Sequence, residues 1–485
     1  MSSAPTRDPE QIIKRLRDEL SRAQADRARL EQDLSRTERE RERLRRENEQ
    51  LRKELETARR AGYRQAAPFS KGAPKSHPQR PGRKPGATYG RQGRRPVPPV
   101  INHTYDAPLP ATCPDCGGPV DDTHTTAQYQ EDLPPPVQPL VRRFDVHIGK
   151  CRRCGRRVQG RHPLQTSDAV GAAAVQIGPE ALATAAVLNK QFALSFGKIA
   201  TFFVERFGLH VVPSTIVRAL HRAATKALPT YAVLVQTVRT SPWVGADETG
   251  WRVAAQLWWL HGFVTPETTV YAILRGRGFE EAACVLGPAF AGVLGRDGWA
   301  PYRQFTAAAH QTCLNHLVSR ARQLREDHPR ALLPGQVQEV LQDALAVRDR
   351  RAAGMISVHG AAVARGRLMT RLSGLLQKST TVAPIRRFLR HIDREWSALF
   401  SFLFDFQIDA TNYRAEHAMR WAVVTRKMCG GGNRTPRGAV TQYVLASVLR
   451  TACQRGRDRC TVLTALLRSP TPMVSPDLQP RAGPH

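Results

Sequence analysis

The segment VGADETGW, Val244 to Trp251, leaves two acids side by side directly after a short apolar run. Three more apolar runs follow it: LWWLHGFV (257–264), TVYAILRG (269–276) and AGVLGRDGW (291–299). Their lengths, their β-branched and aromatic residues and the turn residues between them predict four strands, three in a meander and then a fourth. Asp247 falls in or at the end of the first strand, and Asp297 ends the fourth, where Gly298 makes the turn. A third acid lies far downstream. Glu416 belongs to DATNYRAEHAMRWAVVTRK (409–427), a predicted helix on which Glu416, Arg420, Val423 and Lys427 share a face.

A meander that feeds a further strand is how an RNase H-like α/β sheet begins. Two strand-borne aspartates and a helix-borne glutamate suit phosphodiester chemistry, which calls for two hard cations about 3.5–4 Å apart. Magnesium accepts oxygen ligands, and one aspartate has to serve both ions. Each acid alone has a plainer reading. Glu416 and Arg420 have the i, i+4 spacing of a surface ion pair, Asp297-Gly298 reads as a turn, and Glu248 shows that acids also occur here with no evident role. The strand, strand, helix order of the three is what points to Asp247, Asp297 and Glu416 as a catalytic, magnesium-binding set.

At 485 residues the chain exceeds one ordinary domain. Its 73 Lys and Arg against 42 Asp and Glu leave a net charge of +31, for which DNA is the expected partner. No apolar run approaches the roughly 18 residues of a membrane span, and the opening MSSAPTRDPEQIIKRLRDEL is too charged for a signal peptide. Nine cysteines, an odd count with no export signal, argue against a disulfide framework and for a reducing cytoplasm.

Residues 1–61 read as a coiled-coil segment. From Ile13 through Leu16, Leu20, Leu30, Leu34, Leu44, Leu51 and Leu55 to Ala58 the seam positions alternate in steps of three and four, and Asn48 falls where a buried polar residue selects two strands. A parallel homodimer is expected, against the alternative of a single solvated helix. Residues 62–105 form a basic Pro/Gly-rich linker that cannot bury a core; Arg83 and Lys84 of RPGRKPG either lie along DNA phosphates or are simply solvated. In 106–165, CPDCGG supplies Cys113 and Cys116 and CRRCGR supplies Cys151 and Cys154. Two glycine-followed CxxC knuckles have the spacing of a closed Zn2+ site, so a DNA-binding zinc ribbon is expected, with a redox CxxC as the rival.

Residues 168–235 are helical in period, with one helix ending at Phe207-Gly208 and another beginning near Pro213-Ser214. Either a helix-turn-helix with Arg218 and His221 toward a groove or an ordinary packed pair fits this pattern. Residues 240–465 hold the three acids and, at about 310–405, an inserted helical subdomain. Cys313 and His316 of CLNH open the helix after the Asp297 strand; a lone Cys-His pair lacks partners for a metal, so packing or DNA contact is expected of it. GGGNRTPRG is read as a phosphate cradle or a flexible connection. Residues 466–485 read as a disordered tail.

Taken together, the zipper start, RPGRKPG, the paired knuckles, VGADETGWRV, RDGWAPYRQF, HQTCLNHL and IDATNYRAEHAMRWAVVTRKMCGGGNRTPRGA resemble the transposases of the insertion-sequence-66 family, the large DDE subunit. The resemblance implies a DDE triad, which maps onto Asp247, Asp297 and Glu416, and a multidomain chain that nicks element ends and transfers the 3′-hydroxyl into target DNA. Accessory transposition proteins would be further partners, and Arg420, Arg426 and Lys427 would meet the DNA backbone. The resemblance also implies a bacterial, nucleoid-associated cytoplasm. Trp421 stands where such chains often have proline, and Tyr413 replaces a commoner asparagine or tryptophan; neither is a ligand. A zinc-ribbon regulator, a catalytically inactive domesticated transposase and a charge-driven nucleoid protein are the competing classes. A pure binder has no need of three spaced acids.

Overall fold

The computed structural model describes residues 9–63, 96–131, 138–173, 175–405 and 407–479. It divides into two compact units, Met1–Ser76 and His77–His485. In the first, α1 (Pro9–Tyr63) is one continuous helix. Charged pairs such as Arg27–Glu31 and Arg46–Glu42 brace it at i, i+4 spacing, while Leu20, Leu30, Leu34, Leu44 and Leu51 remain exposed along it. Arg83 and Lys84 lie outside the described residues.

The second unit begins with the knuckles. Residues Cys113–Gly118 form a turn closed by Gly117 N–H to Cys113 C=O and Cys113 N–H to Gly118 C=O. The Cys151 turn repeats those bonds with Gly155 and Arg156, at the tip of a hairpin of β1 (Ile148–Lys150) and β2 (Arg157–Gln159). Gly117 and Gly155 take φ of +73° and +69°, which is why a glycine follows each CxxC.

Three helices follow: α2 (Pro179–Lys190), α3 (Phe196–Phe207) and α4 (Pro213–Arg239). The expected boundary holds, with Gly208 left-handed at the end of α3 and Pro213 opening α4. His221 bonds Thr441 Oγ1 at 2.6 Å in a later helix, Ile216, Leu220, Ala223 and Leu234 bury one side of α4, and Arg218 stays exposed. An apolar stripe of that length needs a partner.

The sheet contains β3 (Trp243–Val253), β4 (Gln256–Val264), β5 (Thr269–Leu274), β6 (Val293–Arg296) and β7 (Ala309–Thr312), with α5 (Phe279–Leu286) between β5 and β6. Strand order is β5-β4-β3-β6-β7. The first three strands run antiparallel, as the meander predicted, and β6 and β7 lie parallel to β3. Between β7 and the Glu416 helix come α6 (Leu314–Asp327), α7 (Leu333–Ala352), α8 (Val358–Leu376) and α9 (Ala383–Arg394), which build a separate apolar core from Leu317, Leu341, Leu372 and Phe388. Two short 3-10 turns then return the chain to the sheet, where Gln311 bonds the backbone of Leu399 and Phe402.

The chain continues through α10 (Tyr413–Met428), α11 (Pro436–Gln454) and α12 (Arg459–Arg468). One sheet face, with Val244, Ala246, Phe263 and Val270, packs on α4 and α11; the other, with Trp251, Leu260 and Ile273, packs on α10. The expected disordered tail requires correction over its described part. Residues 466–468 complete α12, Met473 exchanges backbone and side-chain bonds with Lys226 and Thr230, Arg455 donates to Gln479 C=O, and Leu478 is fully buried. A proline-rich composition hid this, because the segment pairs with α4 and α11 rather than with itself.

Candidate active site

Parallel pairing matches Trp243 with Val293 and Gly245 with Gly295. Two residues beyond that last pair, Asp247 lies inside β3, where it pairs with Gly262 of β4, and Asp297 directly follows β6. Side chains alternate along β3. Val244 and Ala246 enter the core beneath α4 and α11, so Gly245 and Asp247 face α10, while Glu248 faces the opposite side and bonds Tyr302 at 2.9 Å.

Helix α10 comes close to the sheet because the sheet gives it room. A Cβ at Gly245 would lie 2.9 Å from Asn412 Oδ1, and one at Gly262 would lie 2.6 Å from Met419 Sδ. Asn412, buried at the start of α10, donates from Nδ2 to Ala246 C=O at 2.7 Å and from its backbone N–H to Cys313 Sγ at 3.1 Å. That clamp ties the start of α10, which carries Glu416 one turn on, to β3. The first turn of a helix also favours a carboxylate through the aligned peptide dipoles.

Burial, and then the negative charges of Glu248, Asp297 and Glu416, push the Asp247 carboxyl up to about 7. The three sequence-predicted acids therefore share one electrostatic environment. Among the described residues the oxygens of Asp247, Asp297 and Glu416 are not gathered within 4.8 Å of one another, but their oxygen-only chemistry is what a hard divalent cation accepts.

Asp297 is held from two sides. Its Oδ1 accepts from Trp299 N–H at 2.9 Å, and Gly298, at φ +91°, turns against His391 of α9. Just before it, Arg296 pairs with fully buried Glu395 at 2.7 Å, as does Arg303. Burial alone would raise the Glu395 carboxyl, but Thr312, Arg296 and Arg303 hold it below its ordinary value. The helical insertion thus anchors the strand that carries Asp297. Glu248 bonds Arg277 at 2.9 Å, and the Arg277 guanidinium lies 4.5 Å from the Trp259 ring and 3.7 Å from the Trp299 ring. Asn412, Arg277, Tyr302 and Glu395 were not singled out from sequence; Asn412, inside the quoted helix motif, and Tyr302, inside RDGWAPYRQF, offered a signal.

Arg420 and Lys427 are exposed on α10. Arg426 is not free in the way expected: its guanidinium donates to Gly250 C=O and lies over Trp251. The GGGNRTPRG loop is docked as well. Gly432 passes so close to Arg252 C=O that a Cβ has no room, and Asn433 bonds Arg252, Ala254 and Trp251. The flexible reading does not describe a loop pinned in this way.

Cys313 and His316 find the partner that their sequence did not reveal. Glu416 Oε1 lies 3.7 Å from Cys313 Sγ and 3.5 Å from His316 Nδ1. Among the described residues this is the group of three ligating side chains gathered within 4.8 Å. Cys113, Cys116, Cys151 and Cys154 form two separate knuckles not drawn into such a group. Within each, backbone N–H groups, chiefly of Cys116 and Cys154, lower the leading thiols Cys113 and Cys151, as a metal-binding turn requires.

Residues 174–441 match the sequence profile of the family described as Transposase IS66 family. No curated protein matches the chain. Among the described residues no helix is long and apolar enough to cross a membrane.

Proposed function

The chain belongs to the IS66 transposase family, and from that premise we propose that Asp247, Asp297 and Glu416 form the metal-binding triad of a DNA nuclease and strand transferase on an RNase H-like core. The observation that carries this reading is the Asp247 carboxyl, raised by burial and then by the charges of Glu248, Asp297 and Glu416. Asp247, Asp297 and Glu416 would hold the Mg2+ ions. Bound magnesium supplies activation of the attacking oxygen and stabilisation of the leaving one.

The chain's own residues supply position. The middle of β3 and the turn after β6 fix the two aspartates, Asn412 fixes the helix that carries Glu416, and exposed Arg420 and Lys427 meet the DNA backbone without reading its sequence. Water is the nucleophile that frees the element's 3′ end, and that 3′-hydroxyl is the nucleophile in joining to target DNA. A family of transposases implies DNA as partner, and the cytoplasm as the compartment. Zn2+ on Cys113, Cys116, Cys151 and Cys154 would draw the two knuckles together as a DNA-binding ribbon. The exposed leucines of α1 would pair with those of a second copy, giving a homodimer whose sedimentation reverts to monomer when Leu30 and Leu34 are replaced by Lys.

The test is incubation of the full chain with candidate element ends and Mg2+. Nicks at the transferred strand's 3′ end, lost in Asp247→Asn with DNA binding retained, are expected. Nicking by Asp247→Asn at the wild-type rate would overturn the reading.

A further inference from the structure

Cys313 Sγ, His316 Nδ1 and Glu416 Oε1 approach one another in the geometry of a metal site of a different kind from the all-oxygen triad. With Zn–S near 2.3 Å and Zn–N and Zn–O near 2.1 Å, tetrahedral ligands stand about 3.4–3.6 Å apart. The measured separations from Glu416 Oε1 are 3.7 Å to sulfur and 3.5 Å to nitrogen. Cys313 is the residue before α6 and His316 is in its first turn, so the helix holds both donors on one side. Asn412 N–H donates to Cys313 Sγ, fixing the sulfur toward α10, while His316 and Glu416 are half exposed and leave a fourth position open to solvent.

We propose that Cys313, His316 and Glu416 bind a soft divalent cation of the zinc class, and that this site competes with the magnesium triad for Glu416. Thiolate and imidazole select zinc over magnesium, whereas Asp247 and Asp297 offer only oxygen. A Glu416 carboxylate turned to Cys313 and His316 is withdrawn from the other two acids, so zinc acts as a brake on the chemistry. The brake rests on the function proposed above; the binding itself does not.

The experiment is a Co2+ titration of the full chain in excess Mg2+, read by the sulfur-to-cobalt charge-transfer band, for the wild type, His316→Ala and Cys313→Ser. The wild type should take up one more equivalent than either variant. His316 is at the surface, so its variant keeps the test valid if Cys313→Ser fails to fold. Equal uptake by wild type and His316→Ala overturns the site. In parallel, Mg2+-dependent nicking is measured with and without micromolar Zn2+, as a ratio within each protein. Inhibition of about tenfold or more in the wild type, relieved in His316→Ala, supports the brake. Equal ratios overturn it. If the extra equivalent binds but Mg2+ alone gives no nicking in any protein, the metal site stands and the nuclease reading fails.

Discussion

Asp247, Asp297 and Glu416 hang on supports that come from distant parts of the chain, whereas the cysteine knuckles are stitched only by their own backbone. Asn412 reaches Ala246, Glu395 reaches Arg296, and Arg277 reaches Glu248. In the knuckles each hydrogen bond closes within five residues, and the strands β1 and β2 beside them are largely exposed. The sheet site is therefore built before any ligand arrives. If the proposed zinc binds the knuckles, that segment should depend on it, because folding and metal binding are the same event where no core exists.

The largest effect should come from the acids. Asp247→Asn, Asp297→Asn and Glu416→Gln should each lower nicking on the order of 10²–10³-fold, the cost of losing one preorganised charge-stabilising group. Circular dichroism and DNA binding should be retained, since the supports remain. Mn2+ should replace Mg2+, and Ca2+ should permit binding without cleavage. A variant of any of the three that nicks normally breaks the triad.

Next is the knuckle segment, where Cys113→Ser or Cys151→Ser should release metal and open residues 106–165 to proteolysis while the sheet unit resists. Chelation of the wild type should do the same. Metal content near zero in the purified, protected wild type would contradict the contrast drawn here.

The pH response separates the two regions further. Asp247 rises from 3.8 to about 7 in the folded chain. A folded state that keeps a proton the unfolded state has lost is destabilised as pH rises through that window, so the metal-free chain should lose stability between those values. Asp247→Asn should flatten the loss and raise the neutral-pH Tm by a few degrees. Mg2+ should stabilise the wild type more at pH 8 than at pH 6. An identical Tm profile for the wild type and Asp247→Asn would mean that the carboxyl is not crowded as described.

The three acids could be named as candidates because they sit on a strand, after a strand and in the first turn of a helix, which short patterns reveal. Alternation in VGADETGW and the turn at Asp297-Gly298 needed only local physics. What stayed hidden depends on contacts across the chain. Nothing near Arg426 announces that Gly250 and Trp251 occupy it, and nothing near Cys313 and His316 announces Glu416, about a hundred residues on, which only the packing of α10 against β3 supplies. The tail beyond Arg468 failed for the same reason: its partners are Lys226, Thr230 and Arg455.

The smallest expected effect is at Glu248, and it is the sharpest discriminator because the residue adjoins Asp247. Alternation along β3 puts the two carboxylates on opposite faces. Glu248 meets Tyr302 and Arg277, and burial, then the Asp297 charge, raises it. Its influence on the site runs through Arg277, whose backbone C=O accepts from Trp299 Nε1, to the Trp299 N–H that holds Asp297. Glu248→Gln keeps the shape and one hydrogen bond but gives up the charge that Arg277 needs. Losing one charge-assisted hydrogen bond behind the site should slow nicking about tenfold, well short of the loss at Asp247. The shortfall should lie in kcat with KM for DNA unchanged, since Glu248 does not touch the strand. If Glu248→Gln abolished nicking while Asp247→Asn left it intact, the ligand would be Glu248, and the face of β3 that looks toward α10 would have been assigned one residue out of step.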